Sequence, residues 1–291
     1  MARSALCVGI NEFEHLPMSS WLSGCVNDAH DIAGALKKLG FTARTTTVLT
    51  DADATKAKVM AALEAMVGRA KAGDHLVFSF SSHGTQVPNH RDDDVEPDGL
   101  DEAFACHDIR RKGDQWDTAT VIVDDELGAL FAGIPEGVLV EVLLDTCHSG
   151  TGLKNLEDLQ LDLMRGRRPR FLPPPTPRGV RQARAIREVS APKKVDRKPL
   201  VDLVRSRGAG AKPVLFAACK PEQTASDASF DNRPNGAFTY LFLKALKGAP
   251  TGSRADLLKA VITGLKAEDF EQRSTLEAPA KAKAVAFGAA W

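Results

Sequence analysis

The residues from Val138 to Gly150, VLVEVLLDTCHSG, constrain the fold more than any other part of this chain. The first seven are apolar except for Glu141, a pattern typical of a strand covered on both faces in a parallel sheet. The run ends abruptly in Asp145, Cys147 and His148. Ligands bind at the carboxyl ends of strands in open α/β sheets, so Cys147 is either a nucleophile or a buried structural thiol.

The composition indicates a reducing compartment and no polyelectrolyte partner. With 291 residues the chain forms a large core, as one domain or two closely joined ones. Its 38 basic and 38 acidic residues give no global field for nucleic acid or membrane. The five cysteines are scattered, without disulfide or zinc spacing. No signal peptide and no membrane-spanning apolar run is found, so we expect a soluble, cytoplasmic protein.

Strands and helices alternate along the chain, which predicts βαβ units and a mostly parallel sheet with helices on both faces. The predicted strands are Ala5–Ile10, Thr45–Leu49, His75–Phe80, Val138–Leu144 and Pro213–Cys219, with an edge strand at Ala280–Phe287. The predicted helices are Cys25–Leu39, Lys56–Ala70, Asp124–Phe131, Gly236–Lys247 and Arg254–Leu265.

Composition divides the chain into three regions: 1–163, 164–212 and 213–291. The middle region is rich in Arg, Lys and Pro and has little apolar periodicity, which predicts a long exposed linker rather than core. Few aromatic residues interleave its basic residues, so binding of nucleic acid is not favoured. The third region is expected to complete the same sheet as the first.

The ends of two predicted strands carry a pair of catalytic residue types. His75–Phe80 leads into His83 and Gly84, and Val138–Leu144 leads into Cys147. If these strands are parallel neighbours, the imidazole favours the thiolate and later protonates a leaving amine. The N–H groups of Gly84 and Cys147 are predicted to form an oxyanion hole. His148, adjacent to Cys147, is a rival base, but we expect it to project elsewhere.

The motifs SSHG and DTCHSG resemble the His-Gly and Asp-x-Cys-x-Gly motifs of caspase-like cysteine peptidases, and most closely those of metacaspases and bacterial orthocaspases. The resemblance implies a caspase-like three-layer α/β/α sandwich with a mostly parallel central sheet. Regions 1–163 and 213–291 would be large- and small-subunit-like parts of one unit. Further motifs carry the likeness: VGINEF, LSGCVNDA, DGLDE, VDDEL, LFAACKPEQTA and GAFT.

The resemblance also implies roles for single residues. Cys147 matches the nucleophile and His83 the general acid and base. Asp28 and Asp145 match the acidic residues of the pocket for the substrate residue before the cut. Carboxylates in a narrow pocket select Arg or Lys and repel an acidic side chain. Two further positions match the border of that pocket: Cys25 and Ser81.

Calcium is a cofactor that the family resemblance suggests and the sequence leaves open. Three aspartates match calcium ligands of the family: Asp101, Asp124 and Asp125. The fourth ligand position falls on Lys154, whose charge opposes Ca²⁺ unless Glu157 or Asp158 replaces it. The alternative is an acidic loop that pairs with the basic linker.

An enzyme that cuts after Arg or Lys would find targets in its own linker. We therefore expect a zymogen that cleaves itself within 164–212, because exposed backbone threads readily into a protease site. Its other partners would be polypeptides with Arg or Lys before the cut, and a regulatory protein. The alternative is a catalytically silent scaffold. The linker's basic residues include Arg165, Arg167, Arg168, Arg170, Arg178, Arg181, Arg184, Arg187, Lys193 and Lys194.

Overall fold

A computed structural model describes residues 1–89, 100–147, 162, 164–190, 213–220 and 223–291, without the side chains of 187–190. The strands are β1 Arg3–Gly9, β2 Thr46–Thr50, β3 His75–Ser81, β4 Gly84–Pro88, β5 Leu100–Ala105, β6 Arg111–Lys112, β7 Gln115–Trp116, β8 Val121–Val123, β9 Leu139–Asp145, β10 Arg168–Pro169, β11 Val214–Ala217, β12 Ser226–Phe230, β13 Arg233–Gly236 and β14 Thr275–Glu277. The helices are α1 Cys25–Lys38, α2 Lys56–Val67, α3 Asp124–Ala132, α4 Pro177–Ser190, α5 Ala237–Gly248, α6 Arg254–Ala267 and α7 Ala280–Lys283.

The central sheet of the described residues has six strands in the order β14-β11-β9-β3-β1-β2. All neighbours are parallel except β14, which runs antiparallel to β11. One face carries α2 and α3, and the other carries α1, α5 and α6. The predicted α/β class, with a mostly parallel sheet between two helical layers, is confirmed.

Alternation along β3 shows why apolar residues occupy consecutive positions from Leu76 to Phe78. Leu76, Phe78 and Phe80 belong to the core on the α2–α3 face, whereas Val77 belongs to the core on the α1–α5 face. Both faces of the strand are therefore buried, and each such large side chain contributes about 1.5–3 kcal/mol. A Phe78→Ala substitution would open a cavity and cost about 3–5 kcal/mol.

Strand register brings the site residues to one edge of the sheet. Ser81 at the end of β3 pairs with Gly9 on one side and Asp145 on the other. The carboxyl ends of three parallel strands thus lie together, and His83 and Cys147 follow directly after two of them.

The predicted edge strand at Ala280–Phe287 is wrong. The edge strand is Thr275–Glu277, which pairs with β11 through Leu276 opposite Phe216. Residues Ala280–Lys283 form a short helix after Pro279. Alternating Ala and Lys are strong helix formers, and the apolar pattern did not distinguish the two structures.

The described part of region 164–212 differs from the predicted exposed linker. Arg168–Pro169 forms a strand that pairs with β12, and Pro177–Ser190 is a helix. Arg170, Phe171 and Leu172 are buried. The charge-rich composition suggested solvent, but the countercharges for Arg170 come from distant parts of the chain. The boundaries of the three regions stay a prediction, although β11 and β14 do lie in the same sheet as β1 and β3.

In the ranges that the structure covers, no helix combines the length and apolarity needed to cross a membrane.

Candidate active site

His83 lies in the short connection between β3 and β4, and its ring is buried against Phe13. Its Nε2 lies 2.8 Å from the carbonyl oxygen of Ser20, so this nitrogen carries the hydrogen and donates it. The other ring nitrogen, Nδ1, is buried and has no hydrogen-bond partner among the residues that the structure describes. Burial lowers the pKa of His83 to about 4, against the opposing effect of the Ser20 carbonyl. The imidazole is therefore neutral at physiological pH.

Cys147 follows β9 and is buried. Its Sγ donates to the carbonyl oxygen of Gln223 at 3.0 Å and accepts from the N–H of Ala225 at 2.9 Å. The Sγ of Cys219 lies 3.5 Å away. Over the described ranges, no hydrogen bond joins Cys147 to His83, so the thiol faces the segment after β11 instead of the imidazole.

The backbone of Gly84, the residue after His83, nevertheless lies against that of Cys147. A Cβ atom at position 84 would lie 1.5 Å from the carbonyl oxygen of Cys147, so only glycine fits beside the cysteine. The N–H groups of Gly84 and Cys147 converge on one acceptor, the carbonyl oxygen of Arg170, at 3.0 and 3.3 Å. These are the N–H groups that the sequence predicts as an oxyanion hole.

The side chain of Arg170 fills an acidic pocket with no exposed surface. Its Nη2 lies 2.7 Å from Asp28 Oδ2 and 2.8 Å from Asp227 Oδ1. Its Nη1 lies 3.1 Å from Asp145 Oδ1 and donates to the Asp145 carbonyl oxygen at 3.0 Å. One guanidinium is thus bound by three carboxylates, each a charge-assisted contact.

Each carboxylate of this acidic pocket, meaning Asp28, Asp145 and Asp227, is also held by donors other than Arg170. Asp28 accepts from the Asn235 amide group at 3.0 Å, and Asp145 accepts from the Thr239 hydroxyl at 2.7 Å. Backbone N–H groups add to these bonds: Gly236 on Asp28, Thr239 on Asp145, and Ser23 and Gly24 on Asp227. The GAFT motif of the sequence therefore supplies donors for both predicted pocket aspartates.

Electrostatics within the pocket depend on the bound cation. Burial opposes the charge of Arg170, but Asp145, Cys25, Asp28 and Asp227 together raise its pKa well above the usual value. Burial is also the main cause that raises the pKa of Asp28 to about 7, with Arg170 acting against it. Arg170 therefore opposes the protonation of Asp28 in the pocket.

The segment around Arg170 runs through the site as an extended peptide. Residues 168–169 pair antiparallel with β12, and the Arg170 N–H donates to the Ala225 carbonyl oxygen at 2.9 Å. Beyond Arg170, the chain pairs parallel with β4 through Phe171 opposite Gly84. An extended backbone paired on both sides of one residue is the conformation in which proteases bind peptides.

The two residues predicted at the pocket border lie beside it. Cys25 is the first residue of α1 and is buried; burial raises its pKa well above the usual value, Arg170 lowers it, and the pocket aspartates raise it further. Ser81 is buried at the end of β3, opposite Asp145 in the sheet. Their predicted contact with substrate stays a prediction.

The three predicted calcium ligands lie outside the six-stranded central sheet. Asp101 is in β5, and Asp124 and Asp125 open α3. Among the residues described, no three His, Cys, Asp or Glu side chains are arranged to hold a metal ion. Calcium takes about six to eight oxygen ligands, so these carboxylates alone do not make a site. The fourth family position, Lys154, lies outside the described residues, as do His148, Glu157 and Asp158.

Sequence reasoning missed two residues of the pocket. The motifs do not include Asp227, which stands two residues after KPEQTA in a strand that is buried except at Ser229. Arg170 is one of many basic linker residues, and no local signal marks it as buried.

Comparison with known proteins now places the chain. Residues 3–156 match the family model described as metacaspase, peptidase C14 domain. The chain belongs to the metacaspase family. Metacaspase-1 of Cryptococcus neoformans is 30% identical over 310 residues, covering 95% of this chain and 62% of the relative. Metacaspase-1A of Aspergillus oryzae is 28% identical, covering 89% and 64%. The chain thus spans about three fifths of these relatives' length.

Two solved structures are similar to this chain in fold. A crystal structure of a Geobacter sulfurreducens protein is similar with a TM-score of 0.67 and 30% identity, covering 98% of this chain and 97% of that one. Caspase-1 from Spodoptera frugiperda gives a TM-score of 0.52 at 12% identity, covering 95% and 88%. The second likeness shows the caspase-like fold, as the resemblance implied.

Proposed function

We propose that this chain is a cysteine endopeptidase that cuts after Arg or Lys, and that its first substrate is its own Arg170–Phe171 bond. One observation carries the proposal. The side chain of Arg170 fills the acidic pocket while its carbonyl oxygen accepts from the N–H groups of Gly84 and Cys147. A substrate residue before a scissile bond needs both contacts at once.

The proposed reaction passes through an acyl-enzyme on Cys147. The thiolate attacks the Arg170 carbonyl carbon, and the Gly84 and Cys147 N–H groups stabilise the oxyanion. His83 takes the thiol proton and gives it to the amine of Phe171 as the peptide bond breaks. Water then hydrolyses the thioester and restores the thiol.

The described state precedes that reaction. The Cys147 thiol is hydrogen-bonded at Gln223 and Ala225, and His83 at Ser20. Both side chains must rotate before the thiol meets the imidazole. The linker therefore occupies the site of a zymogen whose nucleophile is turned away.

Specificity for basic residues follows from the acidic pocket. Three carboxylates attract a guanidinium or an ammonium group, and the paired contacts to Arg170 fit a planar guanidinium best. A substrate aspartate in this pocket would add a fourth negative charge to the three carboxylates. We therefore expect no cleavage after acidic residues.

The deciding experiment compares the wild-type chain with Cys147→Ala. We expect the wild type to yield a fragment that begins at Phe171, identified by mass spectrometry, and to hydrolyse fluorogenic peptides ending in Arg or Lys. The Cys147→Ala chain should do neither. Identical fragments from the Cys147→Ala chain, or wild-type cleavage only after Asp, would contradict the proposal.

A silent scaffold that binds a regulatory partner is the second candidate. It is favoured by the lack of a Cys147–His83 hydrogen bond in the described state. The peptide assay separates the two, because a scaffold leaves every fluorogenic peptide intact.

A calcium requirement remains a prediction tied to Asp101, Asp124 and Asp125. Peptide hydrolysis measured with added Ca²⁺ and with a chelator tests it. An Asp124→Asn variant that removes the difference between the two conditions would place the ion there, and equal rates in both conditions for the wild type would refute the requirement.

A further inference from the structure

We propose that the site also selects large apolar side chains at the two positions after the scissile bond, with Thr85 and Trp116 holding that part of the peptide. This rests on the proposed function, since Phe171 and Leu172 are taken as the residues that follow the cut. We call the groove that holds these two residues the downstream groove.

Burial on the two sides of Arg170 is unequal. Before it, Arg168 is exposed and Pro169 is half-buried. After it, Phe171 and Leu172 expose only 8% and 7% of their surface. The apolar part of the peptide thus lies downstream, where a charged side chain would lose its water without a partner.

The two downstream side chains enter different parts of the core. Phe171 packs with the cluster on the α1–α5 face, and Leu172 packs with the cluster on the α2–α3 face. The downstream groove therefore has two apolar subsites, one for each position, rather than one shared patch.

The backbone of the downstream segment is held by groups outside the linker. The Leu172 N–H donates to the Gly84 carbonyl oxygen at 2.9 Å, and the Thr85 hydroxyl donates to the Leu172 carbonyl oxygen at 2.7 Å. The Trp116 indole N–H donates to the Pro173 carbonyl oxygen at 3.1 Å. Backbone bonds of this kind accept any extended peptide, so an external substrate can follow the same path.

Continuity with the catalytic edge ties the groove to the reaction. Gly84 donates its N–H to the Arg170 carbonyl oxygen and accepts from Leu172 through its own carbonyl oxygen. Thr85 is the next residue, and it is fully buried in β4. The same two-residue stretch thus fixes the scissile carbonyl and the second residue beyond it.

The test uses self-processed wild-type enzyme and internally quenched peptides that share Arg-Pro-Arg before the cut. The downstream residues are Phe-Leu, Ser-Ser or Asp-Asp. We expect kcat/KM to fall at least tenfold from Phe-Leu to Ser-Ser, and further for Asp-Asp, because two apolar side chains lose their burial. Equal values for the three peptides would overturn the proposal.

Variants separate the downstream groove from the acidic pocket. Arg-Pro-Arg-aminomethylcoumarin has no residues after the cut and reports the pocket alone. The ratio of kcat/KM for the Phe-Leu peptide to that for the coumarin substrate should fall about threefold to tenfold in Thr85→Val and in Trp116→Phe, each of which loses one hydrogen bond. Thr85→Ser keeps the hydroxyl and should keep the wild-type ratio.

The outcomes distinguish two kinds of failure. If the coumarin substrate is cut but the variants leave the ratio unchanged, the groove is a packing feature and this proposal is wrong. If wild-type enzyme cuts neither substrate, the proposed function fails and this inference fails with it. Melting temperatures of the variants show whether a lower ratio of the two kcat/KM values results from unfolding.

Discussion

Two arginines are completely buried in the part of the chain that the structure describes, and their partners differ in kind. Arg254 in α6 pairs with Glu141 at 2.8 Å, which also contacts His75. The rest of its guanidinium donates to backbone carbonyl oxygens at the C-terminal end of the chain, those of Ala282, Val285 and Ala289. Arg170 faces three carboxylates. One arginine has a matched partner and the other has an excess of acid.

The difference indicates what each cluster does. Around Arg254 one carboxylate pairs with the guanidinium and backbone carbonyl oxygens accept from its other N–H groups, as in a permanent structural contact. Around Arg170 the acidic pocket holds its carboxylates with its own donors, so the pocket persists when this arginine leaves. A pocket that has excess negative charge, and whose carboxylates are held by other donors, can bind different cations in turn.

The largest expected effect is on the Arg254 cluster. In a Cys147→Ala background, Arg254→Gln should lower the free energy of unfolding by about 3–5 kcal/mol, because Glu141 loses its cation in an enclosed site. Denaturant titration measures the change. The control is Arg44→Gln on the exposed surface, expected to change stability by about 0.5 kcal/mol or less. A loss as small as that of the control would mean that the Arg254 cluster contributes nothing to stability.

The next-largest expected effect is a pH dependence of stability, and it concerns the histidines beside the two arginine clusters. His75 bonds to a carboxylate, but His83 bonds to the Ser20 carbonyl, with Asp227, Arg170 and Arg168 as its charged neighbours. Burial lowers the pKa of His83 in the folded chain to about 4, from the ordinary histidine value of 6.5. The unfolded chain then binds more protons, so stability falls as pH drops from 6.5 to 4, by about 3 kcal/mol in total.

The pKa of His83 is tested by comparing the stabilities of two chains. Free energies of unfolding are compared between Cys147→Ala and the same chain with His83→Gln across that pH range. We expect the advantage of the histidine chain to shrink toward low pH. Parallel curves would show that His83 keeps its ordinary pKa.

The third prediction tests whether Asp227 contributes to the cleavage of Arg peptides. Asp227→Asn should lower kcat/KM on Arg peptides by about 30-fold to 100-fold, because a buried contact to the guanidinium loses its charge (about 2–3 kcal/mol). The control is Asp231→Asn, at the exposed turn after the same strand. Equal activity of both variants would leave Asp28 and Asp145 as the whole specificity determinant.

The smallest effect distinguishes the two arginines most directly. In the Cys147→Ala background, Arg170→Gln should cost about 2 kcal/mol, less than Arg254→Gln, because the three carboxylates keep their other hydrogen-bond donors. Agmatine, a small guanidinium compound, at ten times its Kd should restore about 1.4 kcal/mol to the Arg170 variant. It should do nothing for the Arg254 variant. If agmatine raised the melting temperature of both variants, or of neither, the two arginine sites would not differ in this way.

Much of the fold follows from local patterns. The helix that begins at Cys25 and the strand that begins at His75 match the sequence closely, because apolar periodicity reports which face of an element is buried. The tail was misassigned, since Ala280–Lys283 is too short for periodicity to separate helix from strand.

The sequence by itself determined that Cys147 and His83 lie at one sheet edge, because parallel strands place their carboxyl ends together. The roles of Asp28 and Asp145 came from the family resemblance. Only the tertiary structure decided what fills the pocket. Arg170 is 142 residues from Asp28 and 57 from Asp227, and nothing local marks it among the basic residues of its segment. Which charged side chains meet inside a protein depends on how distant segments of the chain come together. Composition and periodicity do not specify this.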